Sequence, residues 1–105
     1  MRIVQLILAG NICALVGTAW AGDVLSLAEL AKPGRVLMLR HANAPGTGDP
    51  SSFSLDDCST QRNLDQAGRA QALALGKRLA QAGLRQAKVY SSQWCRCLET
   101  AKLLN

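Results

Sequence analysis

Arg35-Val36-Leu37-Met38-Leu39-Arg40-His41-Ala42 is the stretch on which the fold turns. Its apolar centre is near-continuous and of strand length, a pattern that suits a central strand covered on both faces. The run ends on Arg40 and on His41, the one histidine among 105 residues. An imidazole beside a guanidinium at a strand end is a candidate reaction site, although a lone histidine is more often structural or superficial. A second cation, Arg96, sits in Tyr90-Ser91-Ser92-Gln93-Trp94-Cys95-Arg96-Cys97-Leu98-Glu99-Thr100-Ala101, again where an apolar segment gives way to a helical pattern. Arg40 and Arg96 are expected to share one pocket.

Upstream, residues 25–31 space their apolar positions as a short helix does, and Lys32-Pro33-Gly34 ends it in a turn. Downstream, residues 42–61 are rich in Gly, Pro, Ser and Asp without periodicity, which predicts a long loop of the kind that often carries function. A helix is predicted over about 65–82: Asp65 is a suitable N-cap, Ala72, Leu75, Leu79 and Ala82 recur at three and four, and Gly83 stops it. Arg69, Lys77, Arg78 and Gln81 fall on the other face, expected to be solvated. Gly68 and Gly76 weaken this helix by about 1 kcal/mol each relative to alanine and are expected to mark close approach to a sheet. Ala87-Lys88-Val89-Tyr90-Ser91 predicts a second short strand, followed by a helix from about Trp94 in which Leu98, Ala101 and Leu104 keep step. Strand, helix, strand, helix is the βαβ pattern of an α/β protein with parallel strands. Both site segments then leave the carboxyl ends of their strands, the edge at which open α/β sheets bind ligands. Two strands make no self-sufficient sheet, so the chain reads as part of a larger domain.

Met1-Arg2, a mostly apolar stretch to Val16, and Thr18-Ala19-Trp20-Ala21 before Gly22 resemble a secretory signal peptide, predicting cleavage after Ala21 and a mature domain over residues 22–105. Gln5 and Asn11 interrupt the apolar stretch, which is shorter than the roughly 18 residues of a membrane span, so no stable membrane anchor is expected after cleavage. The alternative is an uncleaved N-terminal anchor. Lipidation of Cys13 is not expected, because Ile12 is not the small residue that normally precedes a lipidated cysteine. Arg2 leaves with the leader, so 12 Lys and Arg become 11 against 7 Asp and Glu, a net charge of +4. That balance suits anionic ligands in general. The cations are dispersed and Phe53, Tyr90 and Trp94 are too few for a base-stacking platform, so nucleic acid is not the expected partner.

Cys58, Cys95 and Cys97 survive cleavage. In an oxidising compartment one disulfide is expected, and since Cys95 and Cys97 stand too close to bridge in regular structure, Cys58 should pair with one of them. Buried free thiols are the alternative. A Cys-x-Cys with one distant cysteine and no nearby histidine is an incomplete zinc set, so no metal site is predicted.

An imidazole flanked by arginines has the chemistry of a nucleophile toward phosphorus: the neutral ring attacks, and planar guanidinium forks meet the phosphoryl oxygens as charge builds. The N-terminus of the helix opened by residues 92–94 would add N–H donors. Leu39-Arg40-His41-Ala42, then Leu64-Asp65-Gln66-Ala67-Gly68, then Tyr90-Ser91-Ser92 through Arg96-Cys97-Leu98-Glu99-Thr100-Ala101 resemble, in that order, the N-terminal half of the histidine phosphatase superfamily, which includes phosphoglycerate mutases and many phosphatases. The resemblance spans about residues 36–104 and implies the N-terminal part of a three-layer α/β/α sandwich with a mainly parallel sheet. It implies His41 as the nucleophile that becomes phosphohistidine, Arg40 and Arg96 as phosphate ligands, and Thr47 where mutase members often place an asparagine of the phosphate pocket. Ala42 replaces the commoner glycine, and Cys97 stands where alanine is usual.

The family's second pocket histidine and its acidic proton donor belong to the C-terminal half. Asp56, Asp57 and Glu99 are expected to be ordinary surface or capping carboxylates. The resulting expectation is a periplasmic or secreted phosphatase acting on a phosphorylated small molecule or envelope sugar through phosphohistidine, without metal or organic cofactor. The rival expectations are a truncated, inactive phosphate-binding fragment and a small disulfide-stapled interaction domain.

Overall fold

A computed structural model describes residues 25–85 and 87–105; the segment expected to be a signal peptide, residues 1–21, lies outside them. In chain order the described elements are α1 (Leu27–Leu30), a 3₁₀ turn (Cys58–Thr60), α2 (Gln66–Gln81) and α3 (Cys95–Leu104). The lead-in helix is thus a single turn, closed by Ala31.

The α/β expectation is corrected here. Among the described residues there is no β-ladder, only one antiparallel bridge between Ser54 and Asp57. A strand exists through its partner, and residues 35–40 and 87–91 exchange no backbone hydrogen bonds with each other. Two short strands without further layers have too little to bury, and the apolar side chains stay in solvent: Val36 is 84% exposed, Met38 90% and Tyr90 88%. Apolar composition identifies strand-like segments, but pairing depends on what else is present to cover them.

Order is concentrated where α2 meets α3. Asp65, with extended backbone, accepts the Gly68 N–H at 2.7 Å and so satisfies one orphan donor of the first turn of α2. At the other end, Gly83 (φ +86°) donates its N–H to Ala80 O and Leu84 donates to Leu79 O, the paired bonds of a glycine-terminated helix. The buried stripe of α2 is Gly68, Ala72 and Gly76, spaced by four and therefore on one face. Gly76 faces the end of α3, where an added Cβ would lie 2.8 Å from Leu104 O; at Gly68 it would lie 2.1 Å from Asn43 O. The glycines do mark close approach, but to α3 and to the segment after His41, not to a sheet.

Helix α3 buries a different face from the one its apolar spacing suggests. Cys95, Arg96 and Thr100 are buried, while Leu98 is about half exposed. The core is correspondingly small: Ala42, Ala44, Leu64 and Ala72, with Leu103 packed against them. Polar contacts carry much of the rest. Arg69, expected on a solvated face, forms an ion pair with Glu99 across the two helices. Gln61 is buried in the loop; its Nε2 donates to Ser54 O at 2.8 Å, and its Oε1 accepts the Cys95 N–H at 2.9 Å, capping α3 from a distance. Beside this contact Cys58 and Cys95 are joined in a disulfide, leaving Cys97 as a free thiol. Phe53 packs on Trp94 at 4.8 Å between ring centroids and fixes the same junction.

Candidate active site

His41 leaves the extended segment 35–40 at the point where the chain becomes anchored. The Ala42 N–H donates to Thr100 Oγ1 at 3.0 Å, and that hydroxyl donates to Arg96 O at 2.7 Å, one turn back on α3. Asn43 continues the anchorage: its N–H reaches Gln71 Oε1 at 3.0 Å and its Nδ2 reaches the Asp65 carboxylate at 3.2 Å. The histidine therefore stands on a peptide held by both α2 and α3.

The ring is oriented through Nδ1, which lies 2.7 Å from Ala42 O. A carbonyl only accepts, so Nδ1 carries the proton, and in the neutral ring Nε2 keeps its lone pair. A ring nitrogen with a free lone pair is what attack on phosphorus requires, and here that nitrogen is Nε2.

His41 and Arg40 line an open cleft of about 380 Å³ with Asn43, Arg62, Gln71 and the turn of residues 44–46. Its described lining carries two cations and no carboxylate. Arg40 is exposed. A larger hollow of about 420 Å³ over the disulfide is lined by Asn63, Arg69, Leu98, Glu99 and Lys102 and contains no histidine. The His41 cleft, which holds the histidine, is the candidate site.

Arg96 does not line this cleft. Its Nη1 donates to Asp49 Oδ1 at 3.0 Å and Oδ2 at 3.2 Å, its guanidinium lies 4.5 Å from the centroid of the Trp94 ring, and its Nε is buried without a hydrogen-bond partner. The Asp49 carboxyl is held below its ordinary value of 3.8, first by the Arg62 backbone N–H and then, against the cost of partial burial, by the charge of Arg96. Thr47 is exposed and also outside the cleft lining. The N-terminus of α3 is already engaged, because Gln61 takes the Cys95 N–H. Asp57 caps the 3₁₀ turn through Ser59, whose hydroxyl and N–H lower its pKa; Glu99 pairs with Arg69.

Arg62 is the cleft residue that no sequence pattern singled out. The only available signal was a cation immediately before Asn63-Leu64-Asp65 at the entrance to a helix. Among the described residues no group of three or more His, Cys, Asp and Glu side chains converges as a metal site, and no helix is long and apolar enough to cross a membrane.

His41 thus shares one cleft with Arg40 and Arg62. Residues 36–105, two thirds of the chain, match the family model of the histidine phosphatase superfamily (branch 1), and the chain belongs to that superfamily. No curated protein and no solved structure matches it significantly.

Proposed function

We propose that this chain is the nucleophile-bearing part of an exported phosphomonoesterase that works through phosphohistidine. The observation that carries the reading is the Nδ1 contact to Ala42 O, which leaves Nε2 free in a cleft with two arginines. Nε2 attacks phosphorus, the P–O ester bond breaks, and the alcohol departs with a proton drawn from water; a second water then cleaves the P–N bond, releasing phosphate and returning the imidazole. Arg40 meets the phosphoryl oxygens, while Arg96, outside the cleft lining, stays paired with Asp49. With no carboxylic acid in the described lining, esters of acidic alcohols, such as aryl phosphates, should react faster than alkyl esters.

Export is supported by the apolar leader and by the disulfide, a bond that persists in oxidising compartments. A phosphorylated envelope sugar or similar small molecule is the substrate class that such a location offers. The carboxylate-free cleft also favours a second reading, in which the chain binds phosphate without turning over.

Incubation with an aryl phosphate and acid-sensitive trapping separates the two. The first reading expects a burst of released phenol and an acid-labile phosphoenzyme, both absent in His41→Asn. Activity that survives the substitution would remove His41 from the reaction, and phosphate binding without a burst would establish the second reading.

A further inference from the structure

The two halves of the disulfide differ in their access to solvent. Cys58 is exposed on its 3₁₀ turn, whereas Cys95 is buried at the start of α3. Both line the hollow of about 420 Å³, a size within the roughly 300–1,000 Å³ of small-molecule sites. The rim that carries Cys58 is preset: Asn63 Nδ2 donates to Cys58 O at 2.7 Å, and Asp57 Oδ1 accepts the Ser59 N–H at 3.0 Å. The bridge therefore stands at a fixed place in the wall, and its Cys58 side is the one an incoming molecule meets.

The charge of the hollow is positive. Arg69 and Glu99 are paired with each other, while Lys102, exposed on the last turn of α3, has no carboxylate within ion-pair distance among the described residues. Leu98, about half exposed, supplies an apolar wall between them. A small molecule that carries both a thiol and carboxylates matches these features, because its charge meets Lys102 while its sulfur meets the bridge.

We propose that the Cys58–Cys95 bridge is a thiol-exchange site, reached through this hollow by a small anionic thiol, with Cys58 as the residue modified. The thiolate sulfur bonds to Cys58 Sγ. The S–S bond breaks, and its electron pair passes to Cys95 Sγ, which takes a proton from water. The products are a mixed disulfide on Cys58 and a thiol at Cys95. A second thiol then displaces the first, so that two small thiols become one small disulfide and the chain gains two thiols. The direction of attack follows from burial, which shields Cys95. It is also the direction in which negative charge leaves on the first residue of α3, where the helix dipole favours it. Nothing in the exchange depends on phosphoryl chemistry.

Kinetics on the native, disulfide-bonded full chain test it. Three thiols are compared, with rates taken per thiolate: glutathione, which is anionic, mercaptoethanol, which is neutral, and cysteamine, which is cationic. Glutathione is expected to react fastest and cysteamine slowest, and peptide mapping after acid quenching should place the first adduct on Cys58 with Cys95 free. Lys102→Gln should slow glutathione by about twofold to fivefold, the range of one exposed ion pair, and leave mercaptoethanol unchanged. Added salt should erase the spread among the three thiols.

Rates that ignore the charge of the thiol overturn the proposal, as does an equal effect of Lys102→Gln on glutathione and mercaptoethanol. A first adduct on Cys95 or Cys97 overturns it by reversing the attack. Exchange that needs denaturant leaves the bridge a purely structural tie. Should Lys102→Gln fail to fold, the thiol series, its salt dependence and the adduct map on wild type decide the matter alone.

Discussion

Thr100 holds the candidate nucleophile in place without touching it. Its hydroxyl accepts the buried Ala42 N–H while donating to Arg96 O, so valine, nearly isosteric, leaves the amide unpaired. Thr100→Val is expected to destabilise the chain by about 1–3 kcal/mol, measured by urea unfolding. Asp49 gives the fold a dependence on acid. Its folded pKa lies below the unfolded one, so its contribution is present above the ordinary carboxylate range and is lost as pH falls through the lowered folded value. Thermal melts below about pH 4 should show this loss, and Asp49→Asn should reduce but not abolish it, because Asp57 and Asp65 are shifted the same way. His41 and Arg40 were legible in the sequence because a family motif places them side by side. Arg62 was not, since its place in the cleft depends on how residues 44–49 fold over it. Nor was the Arg96 pair with Asp49, which joins residues 47 positions apart.

Helix α2 was legible almost to the residue, from Asp65 as cap to Gly83 as stop, because capping is local chemistry. The extended segments were not, because a strand is a relation between segments, and 35–40 and 87–91 do not pair. The same contrast explains Gly76. On helix propensity alone Gly76→Ala should stabilise by about 1 kcal/mol. The new methyl would meet backbone oxygens of Leu103 and Leu104 at 3.0 and 2.8 Å, which can give way only if α3 moves. The expected net outcome is destabilisation of about 1–3 kcal/mol, read as a lower denaturation midpoint with helicity retained.

At the scale of the whole molecule, the described residues are held together more by polar contacts and one covalent tie than by a large apolar core. Among the described residues no large side chain is fully buried, and the core is built mostly of alanine. In so short a chain a cross-link between residues 37 apart carries unusual weight, about 3–4 kcal/mol on the chain-entropy account. Its choice of partner has a further cause. Cys95 and Cys97 are separated by roughly 200° around α3, and Gln61 brings the segment bearing Cys58 against Cys95 by a hydrogen bond that owes nothing to sulfur. Docking can therefore precede oxidation and select which thiol is attacked. After oxidative refolding, peptide mapping of Gln61→Ala should reveal Cys58–Cys97 isomers alongside the native bridge, while wild type yields the native bridge alone. A single amide side chain would then act as a template for pairing fidelity, so that the correctness of the covalent bond is inherited from a weak one.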